Sequence, residues 1–329
     1  MKKLIALLAV LLIAAIVAVI LLPTTPAHQK DTPKDTVQTP PSSEETPGDD
    51  QPVIPAWMTF PEDRVLTAKQ AFVYDLQSQK FLFLDGSETD KVYPASITKL
   101  FTAYVALQIL DPETVITAGD ALDLVGYGSS VAEIAKGDEL TVETLVQAML
   151  LPSGNDASYI LAAEAGRTIT QNPSLSASQA VAQFMKEVNG MARILGLRGT
   201  HFTNPDGYHA YDHYTCVGDL VTIAKLAMDN STIAKYAVTT SAEVTFASGT
   251  KQWHNTNFLI DPASDYYCAY ATGLKTGQTP AAGSCLLSSF DVDGSRYVIG
   301  VFGCPEIEDR FADTLQLFNE YAWILHETA

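Results

Sequence analysis

Basic residues are scarce in this chain, where 20 Lys and Arg stand against 38 Asp and Glu and the formal net charge is −18. Nucleic acids and anionic lipid surfaces are bound through clusters of Lys and Arg. The charge balance therefore argues against both, and no nucleic acid is expected as a partner. No Gly-x-Ser-x-Gly sequence occurs either, so nothing supports the nucleophile turn of the α/β-hydrolases.

Cysteine and histidine are also sparse, which limits metal chemistry. The chain has four cysteines, Cys216, Cys268, Cys285 and Cys304. None has a metal-finger spacing. Cys285 and Cys304 are the best pair for a disulfide in an exported chain, and four buried thiols are the favoured alternative. His209 and His213 have a spacing that can bind a metal on a helix, but a solvated loop is the preferred interpretation. The sequence predicts no metal and no cofactor.

Only one long apolar run occurs, from Leu4 to Leu22, and it is long enough to cross a bilayer as a helix. Lys2 and Lys3 precede it and are expected to stay cytoplasmic, which predicts an extracytoplasmic location for the rest of the chain. Residues 1–22 are predicted to be a signal anchor in the membrane, with a cleaved signal peptide as the alternative. Residues 23–55, rich in Pro, Thr, Ser and acidic residues, predict a disordered stalk. Residues 56–329 then form the folded domain.

Strand patterns lie at both ends of the folded part, with helical patterns between them. Alternating apolar residues predict strands over 71–76, 80–84, 273–279, 283–290 and 296–302, with a turn at Asp293-Gly294. Helical periodicity predicts helices over 96–110, 142–151, 158–166, 176–195, 217–228 and 308–325. We therefore expect an α+β fold, in which both chain ends build one antiparallel sheet with flanking helices and an inserted helical lobe.

Three short motifs occur in one order: Ser96-Ile97-Thr98-Lys99, Ser153-Gly154-Asn155 and Lys275-Thr276-Gly277. Each is weak alone, because short motifs also occur by chance. Together they supply a nucleophile with a lysine one helical turn away, a serine–asparagine pair, and a lysine–threonine pair that suits an anion. This combination indicates acyl transfer through a serine ester.

Each catalytic candidate has a plain alternative. Ser96 is the candidate nucleophile and Lys99, on the same helix face, the candidate base; a helix N-cap and a solvated lysine are the alternatives. Lys99 must be neutral to accept a proton, which requires burial and a nearby cation, for which Lys275 is the candidate. Ser153 can relay a proton to the leaving amine, and Asn155 can hold Lys99 and the substrate amide. A plain turn is the alternative for this pair.

The sequence around these motifs resembles the D-alanyl-D-alanine carboxypeptidases, the low-molecular-mass penicillin-binding proteins. The similar blocks span residues 94–100, 128–130, 152–157, 202–207 and 273–279. The resemblance implies the β-lactamase/transpeptidase-like fold. It also implies that the enzyme removes the terminal D-Ala from peptidoglycan stem peptides ending in D-Ala-D-Ala, through an acyl-enzyme on Ser96. β-Lactams are then expected to be covalent inhibitors that acylate the same serine.

The last motif supplies the substrate-binding candidates. A fixed positive charge on Lys275 and the hydroxyl of Thr276 suit the terminal carboxylate of a peptide, with an ordinary edge-strand lysine as the alternative. Gly277 allows a substrate backbone to approach closely. By analogy with the family, the backbone N–H of Gln278 forms an oxyanion hole with that of Ser96.

Three other functions compete with this interpretation. A β-lactamase of the same fold carries Ser-Asp-Asn and a deacylating glutamate, whereas Gly154 occupies the middle of the motif here and no convincing glutamate is found. Transpeptidation stays open, because the motifs do not encode the acceptor. A catalytically silent wall-binding protein is disfavoured by the intact motifs. Asp219 and the loop 204–207 match the family and are expected to be structural supports.

Overall fold

The computed structural model describes residues 64–323. The predictions for residues 1–22 and 23–55 therefore lie outside the described residues. Within residues 64–323, no helix is long and apolar enough to cross a bilayer.

The longer strands lie towards the two ends of the described part of the chain, and most of the helices lie between them. The strands are β1 Gln70–Asp75, β2 Lys80–Leu84, β3 Lys91–Val92, β4 Val115–Thr117, β5 Glu139–Thr141, β6 Thr215–Cys216, β7 Ser241–Phe246, β8 Gly249–His254, β9 Ala271–Thr279, β10 Gly283–Val292 and β11 Ser295–Cys304. The helices are α1 Thr98–Leu107, α2 Val142–Leu150, α3 Asn155–Thr170, α4 Ala177–Ile194, α5 Val217–Asp229, α6 Ser231–Ala237 and α7 Asp309–Leu317.

Both ends of the described chain contribute to one five-stranded sheet, in the order β2-β1-β11-β10-β9. Every neighbouring pair is antiparallel. The predicted turn joins β10 to β11, and Asp293 and Gly294 have φ values of 49° and 89°, as a tight hairpin requires. The predicted α+β arrangement is confirmed, because α1 to α6 occur between β2 and β9 in the chain.

Both faces of this sheet are buried. Phe72 packs in a core formed with the helical lobe, while its neighbours Ala71 and Val73 pack in a second core that includes Phe311 of α7. Successive side chains of a strand point to opposite faces, so β1 contributes to both cores. The sheet edge formed by β9 is thereby held against the helices of the lobe.

Several element boundaries differ from the prediction. The helix expected from residue 96 starts as a 3-10 turn, Ala95–Ile97, before α1. Helix α3 begins at Asn155 rather than at residue 158, and α7 ends at Leu317, where a π-helical turn over Phe318–Trp323 follows. Helix α6 and the β7–β8 hairpin were not predicted.

The disulfide considered between Cys285 and Cys304 is not present, because all four cysteines are buried free thiols. The reason is the register of β10 against β11. Cys304 lies opposite Ser284, and Cys285 falls at an irregularity in the ladder between Ser284 and Leu286. The alternative of four buried thiols is confirmed.

Candidate active site

The Ser96 hydroxyl and the Lys99 ammonium meet at the start of α1. Lys99 Nζ donates a hydrogen bond of 2.8 Å to Ser96 Oγ. Ser96 lies in the 3-10 turn, whose N-cap is Pro94, and the α-helix itself is capped by Ile97. Ser96 is therefore not an N-cap, and its hydroxyl is directed at the lysine. Ala95 immediately before it has φ of 48°, a left-handed conformation of the kind that clusters at functional sites.

Lys99 is fully buried, so the alternative of a solvated lysine is wrong. Besides Ser96, its Nζ donates to Asn155 Oδ1 at 2.7 Å and to the Asp206 carbonyl oxygen at 2.8 Å. Burial lowers the pKa of Lys99 to about 8, although the negative charges of Asp206 and Asp156 oppose that change. A lysine in this state is neutral often enough near neutral pH to accept a proton.

The second motif faces the same ammonium from the lobe. Asn155 is the first residue of α3, and its backbone N–H donates to the Ser130 carbonyl at 2.9 Å. Ser153 lies two residues earlier, is 5% exposed and has φ of 63°. Asp156 ties this turn to the neighbouring loop, because its Oδ1 accepts from Ala132 N at 2.9 Å. Asn155 therefore begins a helix and contacts Lys99, so the second motif is not the plain surface turn considered as the alternative.

Lys275 lies on β9 and is 1% exposed, so it is not an ordinary edge-strand lysine. Its Nζ donates to Thr256 Oγ1 and to the Thr276 carbonyl, both at 3.3 Å. The hydroxyls of Thr256 and Thr276 are 2.5 Å apart. Burial holds the pKa of Lys275 well below its ordinary value, and the charges of Lys99 and Arg310 add to the effect. Lys275 was expected to lower the pKa of Lys99, but the groups that act on Lys99 are Asp206 and Asp156. The repulsion between the two lysines instead lowers the pKa of Lys275.

Gly277 allows β9 to contact the 3-10 turn that contains Ser96. A Cβ at this position would lie 2.6 Å from the Pro94 carbonyl oxygen and 3.3 Å from Ser96 N. Only glycine permits that approach without a shift of backbone. Gln278, the next residue, is exposed. The backbone N–H groups of Ser96 and Gln278, expected to form an oxyanion hole, therefore belong to segments in direct contact.

All three motifs converge, and sequence reasoning missed two further contributors. Thr256 follows the unpredicted β8 strand, and its hydroxyl bonds both motif residues of β9. The Asp206 carbonyl binds Lys99, but a backbone oxygen leaves no trace in residue type. Asp219 holds the loop at residues 199–200, because its Oδ2 accepts hydrogen bonds from Gly199 N at 2.8 Å and from Thr200 Oγ1 at 2.7 Å.

His213 does not lie in a solvated loop as predicted, because it is 2% exposed. Its Nε2 is 2.8 Å from Thr98 Oγ1, and its Nδ1 accepts from Thr203 N at 3.1 Å. Burial lowers the pKa of His213 to about 3. Both ring nitrogens are occupied by protein groups. Within residues 64–323, no cluster of three or more His, Cys, Asp or Glu side chains could hold a metal ion.

Comparison with known proteins agrees with this geometry. The model of peptidase family S11, D-alanyl-D-alanine carboxypeptidase, matches residues 58–306. The chain belongs to this family. The family consists of serine hydrolases, so the resemblance seen in the motifs is confirmed.

Two curated relatives illustrate the match. The D-alanyl-D-alanine carboxypeptidase DacF of Bacillus subtilis is 29% identical over 270 residues, which are 79% of this chain and 63% of DacF. The D-alanyl-D-alanine carboxypeptidase of Streptomyces sp. strain K15 is 33% identical over 237 residues, 68% of this chain and 77% of that protein. The chain thus covers less than two thirds of DacF.

A solved structure shares the fold. The crystal structure of the Streptomyces K15 DD-transpeptidase matches with a TM-score of 0.70 and 28% identity, covering 79% of this chain and 98% of that one. The match confirms the penicillin-recognising fold for this member of the carboxypeptidase family. This structure is named a DD-transpeptidase, whereas the curated protein of strain K15 is named a carboxypeptidase.

Proposed function

We propose that this protein removes the terminal D-Ala from peptidoglycan stem peptides that end in D-Ala-D-Ala. One observation carries the proposal: a buried lysine with a lowered pKa donates a 2.8 Å hydrogen bond to a half-buried serine hydroxyl. That pair is a nucleophile with its base, as acyl transfer through an ester requires. The family to which the chain belongs supplies the substrate class.

The acylation step follows from the contacts around Ser96. Neutral Lys99 takes the hydroxyl proton, and Ser96 Oγ forms a bond to the carbonyl carbon before the terminal D-Ala. The backbone N–H groups of Ser96 and Gln278 stabilise the oxyanion. Lys99 returns that proton through Ser153 to the amine, the C–N bond breaks and D-Ala leaves. Lys99 then takes a proton from the attacking water and passes it to Ser96 Oγ as the ester bond breaks and the shortened peptide is released.

Three groups at β9 suit the carboxylate of the leaving D-Ala. The Lys275 ammonium and the hydroxyls of Thr276 and Thr256 form one hydrogen-bonded cluster. A buried lysine beside two hydroxyls favours a carboxylate over a neutral chain end, because a bound carboxylate stabilises the charged form of the lysine. The proposal therefore assigns Lys275, Thr276, Gly277 and Gln278 to substrate binding, and Ser96, Lys99, Ser153 and Asn155 to catalysis.

β-Lactams are proposed to acylate Ser96, because their strained amide mimics the scissile bond. The test follows the intact mass of the full chain with benzylpenicillin and D-Ala release from a D-Ala-D-Ala peptide. A stable one-to-one adduct and D-Ala release, both absent in Ser96→Ala and kept in the exposed-site control Ser174→Ala, support the proposal. D-Ala release undiminished in Ser96→Ala would contradict it.

The same experiment separates the rival functions. An adduct that disappears within seconds while drug is consumed would indicate a β-lactamase. Absence of any adduct would indicate a silent wall-binding protein. Because the K15 relative is described as a DD-transpeptidase, the acceptor is tested by adding a dipeptide amine. A product joined to that amine would assign transfer in addition to hydrolysis.

We also propose that the domain acts outside the cytoplasmic membrane. The apolar run from Leu4 to Leu22 behind Lys2 and Lys3 supports a membrane tether, and the peptidoglycan substrate lies on that side. N-terminal sequencing of the protein recovered from membranes tests this. An intact N-terminus indicates an anchor, whereas a new N-terminus after residue 22 indicates a cleaved signal peptide.

A further inference from the structure

The three hydrogen bonds of Lys99 all go to uncharged oxygens. Its Nζ contacts Ser96 Oγ, Asn155 Oδ1 and the Asp206 carbonyl oxygen. These contacts use all three N–H donors of an ammonium group. They do not neutralise the charge that Lys99 acquires when it takes the proton of Ser96. In a buried site such a charge is costly without an opposite charge nearby.

Three basic side chains are buried around this point. Lys99, Lys275 and Arg310 are all buried, with exposures of 0%, 1% and 5%. Several other charged or titratable side chains act electrostatically on Lys99, Asp206 or Lys275. They are Asp156 and Tyr159 on α3, His213 before β6 and Arg310 on α7. The acidic groups are the carboxyls of Asp206 and Asp156 and the phenol of Tyr159. Burial raises the pKa of Tyr159; burial also raises the pKa of Asp206, and the charge of Lys99 opposes that change.

The two carboxyl groups are used differently. Asp156 accepts backbone hydrogen bonds on both oxygens, from Ala132 and Ala157 on Oδ1 and from Ile134 on Oδ2. Asp206 is 1% exposed, and its Oδ1 accepts a hydrogen bond from Tyr208 N at 3.2 Å. Its Oδ2 has no hydrogen-bond partner within residues 64–323. A buried unpaired oxygen is rare in proteins and calls for a specific reason.

We propose that Asp206 is a positioning residue for the Lys99 base, whose carboxylate stabilises the ammonium formed when Ser96 loses its proton. The backbone carbonyl of Asp206 aims Nζ, and its side chain supplies the charge that the three neutral acceptors lack. Electrostatics agree: among the charges that act on Lys99, Asp206 is the largest that raises its pKa. This inference rests on the proposed acylation of Ser96 and deepens it.

The Asp206→Asn variant tests the proposal, because the amide keeps an acceptor for Tyr208 N while the negative charge is lost. Acylation of the full chain by benzylpenicillin is measured across pH by quenched mass spectrometry. Neutral Lys99 is the active form, so the rate rises with pH through its pKa. Without the carboxylate that pKa falls, and the acidic limb should move to lower pH by about one unit. The plateau rate should fall, since a weaker base takes the proton.

Asp219→Asn is the matched control, because Asp219 also supports a loop but is not among the charges acting on Lys99. Its acidic limb should coincide with that of the wild type. An unmoved limb in folded Asp206→Asn, or a limb moved to higher pH, overturns the inference. If this variant does not fold, Asp206→Ser is measured in the same way. Absence of acylation in the wild type at every pH would instead refute the proposed function itself.

Discussion

Lys99 and Asn155 lie 56 residues apart in the chain, yet Lys99 Nζ donates a 2.7 Å hydrogen bond to Asn155 Oδ1. The contact joins helix α1, which directly follows the 3-10 turn of Ser96, to the first turn of α3 in the lobe. Both side chains are buried. The pKa of Lys99 should therefore depend on whether residue 155 offers a neutral or a charged oxygen to Nζ.

Replacement of Asn155 by Asp should shift the pH dependence of acylation upward. The carboxylate keeps an acceptor for Lys99 Nζ but adds a negative charge, which favours the ammonium and raises the pKa of Lys99 from about 8. The acidic limb for benzylpenicillin acylation should move to higher pH by about one unit or more, opposite in direction to Asp206→Asn. Asn172→Asp, at an exposed position, is the control for the added charge. A limb that stays in place would contradict the assignment of Lys99 as base.

Removal of the Thr256 hydroxyl should weaken binding of the substrate carboxylate. Thr256 Oγ1 accepts from Lys275 Nζ at 3.3 Å and lies 2.5 Å from Thr276 Oγ1. Thr256→Val keeps the shape but loses about 1–2 kcal/mol of hydrogen bonding, or roughly 5- to 30-fold in kcat/KM for D-Ala release. The control is Thr245→Val, in the exposed Thr245–Thr250 hydroxyl pair. Equal kinetics in the two variants would exclude Thr256 from the site.

The sequence predicted the sheet and the three motifs because both signals are local. The β10 and β11 strands carry apolar residues on both sides of the Asp293-Gly294 turn signal, and each motif is a fixed spacing of reactive residue types. β7 does alternate, with Ala242, Val244 and Phe246 on its less exposed face, but its partner β8 is mostly polar, so the hairpin as a whole gives a weak signal. Thr256 was lost with that hairpin.

Other parts of the site carry no local signal at all. The contact between Lys99 and the Asp206 carbonyl depends on how a loop 107 residues away folds back onto α1. A backbone oxygen is present at every position, so no residue type marks it. The burial of His213, which was predicted to be solvated, likewise follows from its hydrogen bond to Thr98 on α1.

Gly154 should not tolerate a side chain, although its backbone is ordinary. A Cβ there would lie 2.7 Å from Asp156 Oδ1, 2.9 Å from Ala132 Cβ and 2.9 Å from the Ala148 carbonyl oxygen. Gly154→Ala should lower the free energy of unfolding by about 1–3 kcal/mol through overpacking, measured by urea denaturation. Gly119→Ala, where a Cβ meets nothing within 4 Å, should change it far less. A Gly154→Asp variant as stable as the wild type would show that this site can hold a Ser-Asp-Asn motif and would contradict the predicted clash.

The last prediction separates stability from catalysis at the far side of the sheet. Asp313 on α7 has a fully buried side chain and accepts hydrogen bonds from Arg64 Nη2 at 2.6 Å, Thr67 N at 2.9 Å and Ala68 N at 2.8 Å. Asp313→Ala leaves the backbone donors without an acceptor and the Arg64 guanidinium without its counter-charge. The free energy of unfolding should fall by about 3–5 kcal/mol.

The matched comparison is Asp123→Ala, which breaks an exposed ion pair with Lys136 and should cost less than about 1 kcal/mol. Urea denaturation measures both variants. Because Asp313 makes no recorded contact with Ser96 or Lys99, the folded fraction of Asp313→Ala should be acylated by benzylpenicillin at the wild-type rate. A loss of acylation that exceeds the loss of folded protein would show that α7 acts on the site, through Arg310 and its 3.5 Å hydrogen bond to the Gly277 carbonyl oxygen.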